Sequence, residues 1–125
     1  MEDHKVLLVE DDEAARSRLA REITKEGFVV LTAENGRKAM EIFVDENPQI
    51  VVTDLKMPEM TGMEVLIRVK QLSPATQVIL MSSYGDLDTV IEALREGVMD
   101  YIKKPVDLDL LIRALRRAQE YIISK

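Results

Sequence analysis

The sequence contains no cysteine, which excludes disulfide bonds, thiolate catalysis and cysteine-based zinc sites. Glycine and proline are also scarce, with five and four copies among 125 residues, while 46% of the residues are hydrophobic. This composition fits neither a disordered tract nor a fibrous repeat. A chain of this length falls in the usual range for one domain, so we expect residues 1–125 to form a single domain.

No apolar run approaches the roughly 20 residues that a helix needs to cross a bilayer. The N-terminal stretch Met1–Lys5 is polar and precedes only a short apolar run, so it lacks the long apolar region of a signal peptide. Acidic residues outnumber basic ones by 23 to 17, and the formal net charge is −6. Because binding to a nucleic-acid phosphate backbone requires a basic face, we expect the domain to bind no nucleic acid. Because it has neither a candidate membrane span nor a signal peptide, we expect it to be soluble and cytoplasmic and to bind no membrane.

Five short apolar segments, rich in valine, isoleucine and leucine, are predicted to be strands. They are Lys5–Glu10, Phe28–Thr32, Ile50–Asp54, Gln77–Ser82 and Met99–Lys103. The first, third and fourth are nearly continuous apolar runs, which is typical of parallel strands buried on both faces.

Apolar residues at helical spacing follow each predicted strand. The stripes are Ala15, Leu19 and Ile23; Ala39, Met40 and Phe43; Val65, Leu66, Val69 and Leu72; Val90, Ile91 and Leu94; and Leu108, Leu111, Ile112, Leu115, Ala118 and Ile122. Gly27 and Gly97 stand where glycines would end the first and fourth helices. Five strand-then-helix units predict an α/β fold, a doubly wound five-stranded parallel sheet with helices on both faces.

Ligands of such sheets bind beyond the carboxyl ends of the strands. Four predicted strands end in polar side chains: Glu10, Asp11 and Asp12 after the first, Asp54 at the third, Ser82 and Ser83 at the fourth, and Lys103 and Lys104 at the fifth. We therefore expect carboxylates, a hydroxyl and an ammonium along one edge of the sheet.

Asp11, Asp12 and Asp54 would repel one another as free anions in a small cavity, so we expect either that some of them are protonated or that a cation lies among them. Oxygen ligands of this kind suit Mg²⁺, and a nearby lysine and hydroxyl could bind phosphoryl oxygens. Together these groups supply the parts for in-line phosphoryl transfer to an aspartate. The alternative for Asp11 and Asp12 is that they cap the following helix and stabilise its first turn.

The sequence resembles the response-regulator receiver family of two-component signalling, from Lys5 to about Ile122. The similarity rests on four segments in matching order and separation: Val6–Asp12, Asp54–Gly62, Val78–Gly85 and Asp100–Pro105. The resemblance implies a flavodoxin-like fold with strand order 2-1-3-4-5.

For the phosphoryl site, the resemblance implies that Asp54 is the phosphoacceptor and that Lys104 contacts the phosphoryl group. It also implies that Asp12 and Asp54 bind Mg²⁺ directly, that Asp11 assists, and that the backbone carbonyl of Lys56 completes the protein ligands. The chain would then be no enzyme, beyond catalysing its own phosphorylation and dephosphorylation.

For signalling, the resemblance implies that Ser82 and Tyr101 form the switch pair. Lys56 and Tyr84 fall at positions that tune the lifetime of the phosphoryl group. The peptide bond between Lys104 and Pro105 is expected to be cis.

The implied partners are a sensor histidine kinase or phosphotransfer protein and an output domain in cis or effector in trans. The surface of the fourth helix, fifth strand and last helix would carry the signal, and a homodimer could form there. The chain could also be one part of a longer protein.

Two other functions remain open at this point. One is an unphosphorylated docking or dimerisation scaffold. The other is a flavodoxin-like or hydrolytic enzyme on the same fold. A nucleotide-binding fold would have a glycine-rich loop where Glu10–Glu13 stands, and a haloacid-dehalogenase-type phosphatase would have a second acid at Lys56.

Overall fold

The computed structural model of the chain describes residues 4–83 and 87–124. Strands and helices alternate as β1 (Lys5–Val9), α1 (Glu13–Lys25), β2 (Val29–Ala33), α2 (Gly36–Glu46), β3 (Ile50–Asp54), α3 (Gly62–Leu72), β4 (Gln77–Ser82), α4 (Leu87–Arg95), β5 (Asp100–Lys103) and α5 (Leu108–Ile123). The strands form one parallel sheet in the order β2-β1-β3-β4-β5. The predicted α/β doubly wound fold and its strand order are therefore confirmed.

An apolar core lies on each face of the sheet. On one face, buried side chains of α2 and α3, such as Phe43 and Leu66, join the core. On the other face, α1 and α5 contribute Leu19, Leu111 and Leu115. Each fully buried side chain of this size contributes about 1.5–3 kcal/mol relative to an exposed one. Because every residue of β3 and β4 is buried, the strands that lead to the polar edge are firmly held.

Short polar side chains begin four of the helices by accepting hydrogen bonds from first-turn backbone N–H groups. These N-caps are Asp12, Asn35, Thr61 and Asp107. Gly27 and Gly97 follow α1 and α4 with φ of 98° and 92°, where a side chain would strain the backbone. Within the described ranges, none of the helices is both long and apolar enough to cross a membrane.

Helix α4 differs from the sequence-based prediction of a buried Val90, Ile91 and Leu94 stripe. Ala93 is its buried residue, whereas Ile91 and Leu94 are 37% and 62% exposed. Successive helix residues are rotated by about 100°, so a helix that packs through Ala93 turns Leu94 away from the core. Ile91 and Leu94 of the predicted stripe therefore face outward, while Val90 is half-buried.

Candidate functional site

Four polar side chains reach the carboxyl edge of the sheet from neighbouring strands. Asp54 and Ser82 are the last residues of β3 and β4, and Glu10 and Lys104 directly follow β1 and β5. Asp54 pairs in register with Met81, the residue before Ser82. The parallel register therefore brings these residues to one edge of the sheet, as the sequence predicts.

Lys104 joins two buried carboxylates from distant parts of the chain. Its Nζ lies 2.8 Å from Glu10 Oε1 and 2.9 Å from Asp54 Oδ2. Glu10 is 1% exposed and Asp54 is 6% exposed. Buried carboxylates without a cationic partner would be costly, so this ammonium stabilises both.

Two opposing effects act on the pKa of Lys104. Burial alone lowers it, but the hydrogen bonds to Glu10 and Asp54 and their negative charges act in the opposite direction and prevail. The net result is a raised pKa. Lys104 therefore keeps its positive charge at neutral pH.

Glu10, Asp11 and Asp54 form an acidic group in which one carboxylate oxygen of each lies within 4.8 Å of the others. Partial desolvation, a hydrogen bond to Glu10 and the charge of Glu10 raise the pKa of Asp11, although its side chain is largely exposed. Lys104 supplies one positive charge against these three acids. The remaining negative charge and the oxygen-only donors fit a hard divalent cation such as Mg²⁺.

Asp12 has a different position from the one expected of a metal ligand. Its Oδ2 accepts a hydrogen bond from the N–H of Ala15 at 2.9 Å and caps α1. Its own N–H donates to Glu10 Oε2 at 3.1 Å. The structure thus brings Asp11 and Asp54 together with Glu10, and Asp12 lies outside this group.

Glu10 is the site residue that the sequence-based ligand set omits. Strand β1 ends at Val9, one residue earlier than predicted, so Glu10 is the first residue beyond the strand. Its side chain is buried beside Lys104. The available signal was its place directly after a buried apolar run.

Ser82 and Tyr101 lie on the neighbouring strands β4 and β5. Ser82 is 1% exposed, and its backbone carbonyl accepts a hydrogen bond from the N–H of Lys104 at 2.8 Å. Tyr101 is half-buried and packs against the core that α2 and α3 cover. Its N–H donates to Asp100 Oδ1 at 2.8 Å. The backbone thus links the predicted switch serine directly to Lys104.

The segment between β3 and α3 passes beside the acidic group. Lys56 is exposed, and Tyr84 lies outside the described residues. Gly62 packs on the backbone of Asp54 and Leu55, where a Cβ would lie 2.8 Å from Leu55 Cα. The peptide bond between Lys104 and Pro105 is cis, as the resemblance implies.

Comparisons with known proteins agree with this geometry. Residues 6–116 match the family model of the response regulator receiver domain. The chain is 39% identical over 115 residues to the regulatory protein AtoC of Escherichia coli K12, covering 92% of this chain and 25% of AtoC. It is 35% identical over 117 residues to sporulation initiation phosphotransferase F of Bacillus subtilis, covering 94% of each.

Solved structures give the same result. A response regulator receiver domain from Clostridium thermocellum matches with a TM-score of 0.88 and 32% identity, covering 92% of this chain and 93% of that one. The chain spans about a quarter of the length of AtoC and nearly all of the sporulation protein. Receiver domains are generally non-enzymatic signalling domains of two-component response regulators. Since the family model extends from β1 into α5, this chain belongs to the response regulator receiver domain family.

Proposed function

We propose that this chain accepts a phosphoryl group on a carboxylate oxygen of Asp54, in the cytoplasm, from a phosphohistidine of a sensor histidine kinase or phosphotransfer protein. The observation that carries this proposal is the 2.9 Å contact between Lys104 Nζ and Asp54 Oδ2 beside the acidic group. A nucleophilic carboxylate with an adjacent fixed ammonium is suited to phosphoryl transfer.

In the transfer, an oxygen of Asp54 attacks the phosphorus in line with the bond to the donor histidine. A P–O bond forms and the P–N bond breaks, and the electron pair of that bond stays on the imidazole nitrogen. Lys104 binds the phosphoryl oxygens, because its Nζ already lies beside Asp54 and its raised pKa preserves its charge.

Glu10, Asp11 and Asp54 are the side chains proposed to hold Mg²⁺, with the backbone carbonyl of Lys56 as a further ligand. The closeness of their carboxylate oxygens and the excess of negative charge support this assignment. When bound, Mg²⁺ neutralises charge on the phosphoryl oxygens. Glu10 takes the place predicted for Asp12, because the Asp12 carboxylate caps α1.

The proposed switch consists of Ser82 and Tyr101. The Ser82 hydroxyl moves to bind a phosphoryl oxygen, and the Tyr101 ring then turns inward. To change the ratio of active to inactive conformations from 1:99 to 99:1, the phosphoryl group must stabilise the active conformation over the inactive one by about 5.5 kcal/mol. Lys56 and Tyr84 flank the phosphoryl group in this proposal and tune its lifetime.

The surface of α4, β5 and α5 is proposed to carry the signal to a partner. Its support is the outward stripe of Leu87, Ile91 and Leu94 on α4, which has i, i+4 and i+7 spacing. An exposed apolar stripe of this kind favours a protein partner. The proposed partner is an output domain in cis or an effector in trans, and a homodimer through the same surface is the further occupant proposed.

The test is the intact mass after incubation with acetyl phosphate or phosphoramidate, with and without Mg²⁺. Wild type is expected to gain one phosphoryl group only with Mg²⁺, and Asp54→Asn is expected to gain none. Asp45→Asn, which alters an exposed aspartate of α2, is the matched control and should behave as wild type. A folded wild type that gains no phosphoryl group from either donor would favour the docking scaffold instead.

A further inference from the structure

Arg16 reaches back from α1 to the end of β1. It is the fourth residue of the helix, and its NH1 donates a hydrogen bond to the backbone carbonyl of Glu10 at 2.9 Å. The side chain is half-buried. A surface arginine with a purely solubilising role would not be expected to fold back onto a main-chain oxygen.

The other polar groups of Glu10 are also bound. Its N–H donates to the carbonyl of Ala33 at 3.1 Å. One carboxylate oxygen accepts from Lys104 Nζ, and the other accepts from the N–H of Asp12. Arg16 therefore completes the set of contacts that holds Glu10 at the sheet edge.

The carbonyl that Arg16 binds belongs to the peptide group between Glu10 and Asp11. Because a peptide group is planar, its orientation sets the directions in which these two neighbouring side chains leave the backbone. We infer that Arg16 is a positioning residue for the Mg²⁺ ligands Glu10 and Asp11. This inference rests on the metal role given to them in the proposed function.

The charge of Arg16 opposes Mg²⁺ binding, whereas its hydrogen bond favours it. A guanidinium near the acidic group repels Mg²⁺, but because this group is half-exposed, solvent screening limits the resulting change in Mg²⁺ affinity to a few-fold. Loss of a residue that orients metal ligands commonly lowers metal affinity by about 10- to 100-fold. Positioning should therefore outweigh charge.

The test is calorimetric titration of the full chain with MgCl₂, without a phosphoryl donor. Arg16→Met removes both the charge and the donor, and we expect it to weaken Mg²⁺ binding about 10-fold. Arg16→Lys keeps the charge and one donor and should recover most of the affinity. Arg18→Met, an exposed arginine on the same helix, should bind Mg²⁺ as wild type does.

Thermal melting in EDTA checks that each variant folds, and Arg16→Gln replaces Arg16→Met if the latter does not melt cooperatively. Tighter Mg²⁺ binding by the variant would show that repulsion dominates and would overturn the inference. Unchanged affinity with a lower melting temperature would reduce Arg16 to a structural contact and would overturn it too. A wild type that binds no Mg²⁺ would instead overturn the proposed metal site, and the role of Arg16 with it.

Discussion

Three acids lie between β1 and α1, and each makes different contacts. Glu10 is buried against Lys104, Asp11 is exposed at the edge of the acidic group, and Asp12 caps α1. The pKa of Asp11 is raised by desolvation and by the hydrogen bond and negative charge of Glu10, so its charged form is less favourable than that of an isolated aspartate. A cation at this site would offset the repulsion between the two carboxylates.

The first prediction separates Asp11 from Asp12 at the metal site. Asp11→Asn should weaken Mg²⁺ binding at least 10-fold, because it removes a negative charge and a ligand oxygen. Asp12→Asn should leave Mg²⁺ affinity within a few-fold of wild type, because asparagine caps a helix about as well as aspartate. Calorimetric titration with MgCl₂ measures both variants.

Asp12→Ala provides the complementary control. It should lower the free energy of unfolding by about 1 kcal/mol through loss of the cap, as measured by urea denaturation without Mg²⁺. If Asp12→Asn abolished Mg²⁺ binding while Asp11→Asn did not, the sequence-based prediction that Asp12 is a Mg²⁺ ligand would be correct.

At the residue scale, the sequence predicts an acidic group beside Asp54 and Lys104, and the structure places Asp54, Lys104 and Asp11 together. It does not determine which of three adjacent acids turns inward. That choice depends on the last paired residue of β1, and a difference of one residue reverses the direction of a side chain. The role of Arg16 depends on a side-chain conformation that no spacing pattern encodes.

At the element scale, the junction between β3 and α3 controls the position of Asp54. The first residue of α3, Gly62, donates its N–H to the carbonyl of Leu55 at 2.8 Å. It has no room for a side chain, because a Cβ would overlap the backbone of Asp54 and Leu55. The start of the helix is thus packed directly on the strand that ends in Asp54.

We predict that Gly62→Ala lowers the free energy of unfolding by about 1–3 kcal/mol, because the backbone of Asp54 and Leu55 would have to shift to make room for the Cβ. It should also slow phosphorylation of Asp54, because the shift moves the backbone of that residue. Urea denaturation and the rate of mass gain with acetyl phosphate measure the two effects.

Gly27→Ala is the matched control at another helix end. Its Cβ would meet no atom within 4 Å, so its cost of about 1 kcal/mol comes from the φ of 98° alone. Phosphorylation should be unaffected. A Gly62→Ala variant with wild-type stability and phosphorylation rate would show that the junction is not tightly packed.

Helices α4 and α5 show what the spacing of apolar residues can and cannot predict. Helix α5 buries Leu111, Leu115 and Ala118 as its stripe predicts, because the helix lies across the sheet along most of its length. Helix α4 buries Ala93 and exposes Leu94. An apolar stripe indicates that some surface will cover it, and it does not say whether that surface is the core of the same chain.

At the scale of the whole molecule, the outward face of α4 is the surface through which a homodimer is proposed to form. Leu94→Glu should therefore prevent or weaken dimerisation of the phosphorylated chain by at least 10-fold, because it places a charge in an apolar contact. Analytical ultracentrifugation with acetyl phosphate and Mg²⁺ measures the association. The variant should keep wild-type stability, since Leu94 is exposed in the monomer.

Val44→Glu is the control for that experiment. Val44 is 61% exposed on α2, close to the 62% of Leu94, but lies outside the α4-β5-α5 surface. Its substitution should leave association unchanged. Equal loss of association in both variants would place the contact elsewhere, and a phosphorylated wild type that remains monomeric would leave an output domain or effector as the occupant.

The central claim is that Asp54 carries the phosphoryl group. Sodium borohydride reduces an acyl phosphate to an alcohol, so phosphorylated aspartate becomes homoserine, which peptide mass spectrometry can locate. After treatment with acetyl phosphate and Mg²⁺, we expect homoserine at position 54, and none when Mg²⁺ is omitted. Homoserine at another aspartate, or the corresponding alcohol at a glutamate, with Asp54 intact, would show that Asp54 is not the acceptor.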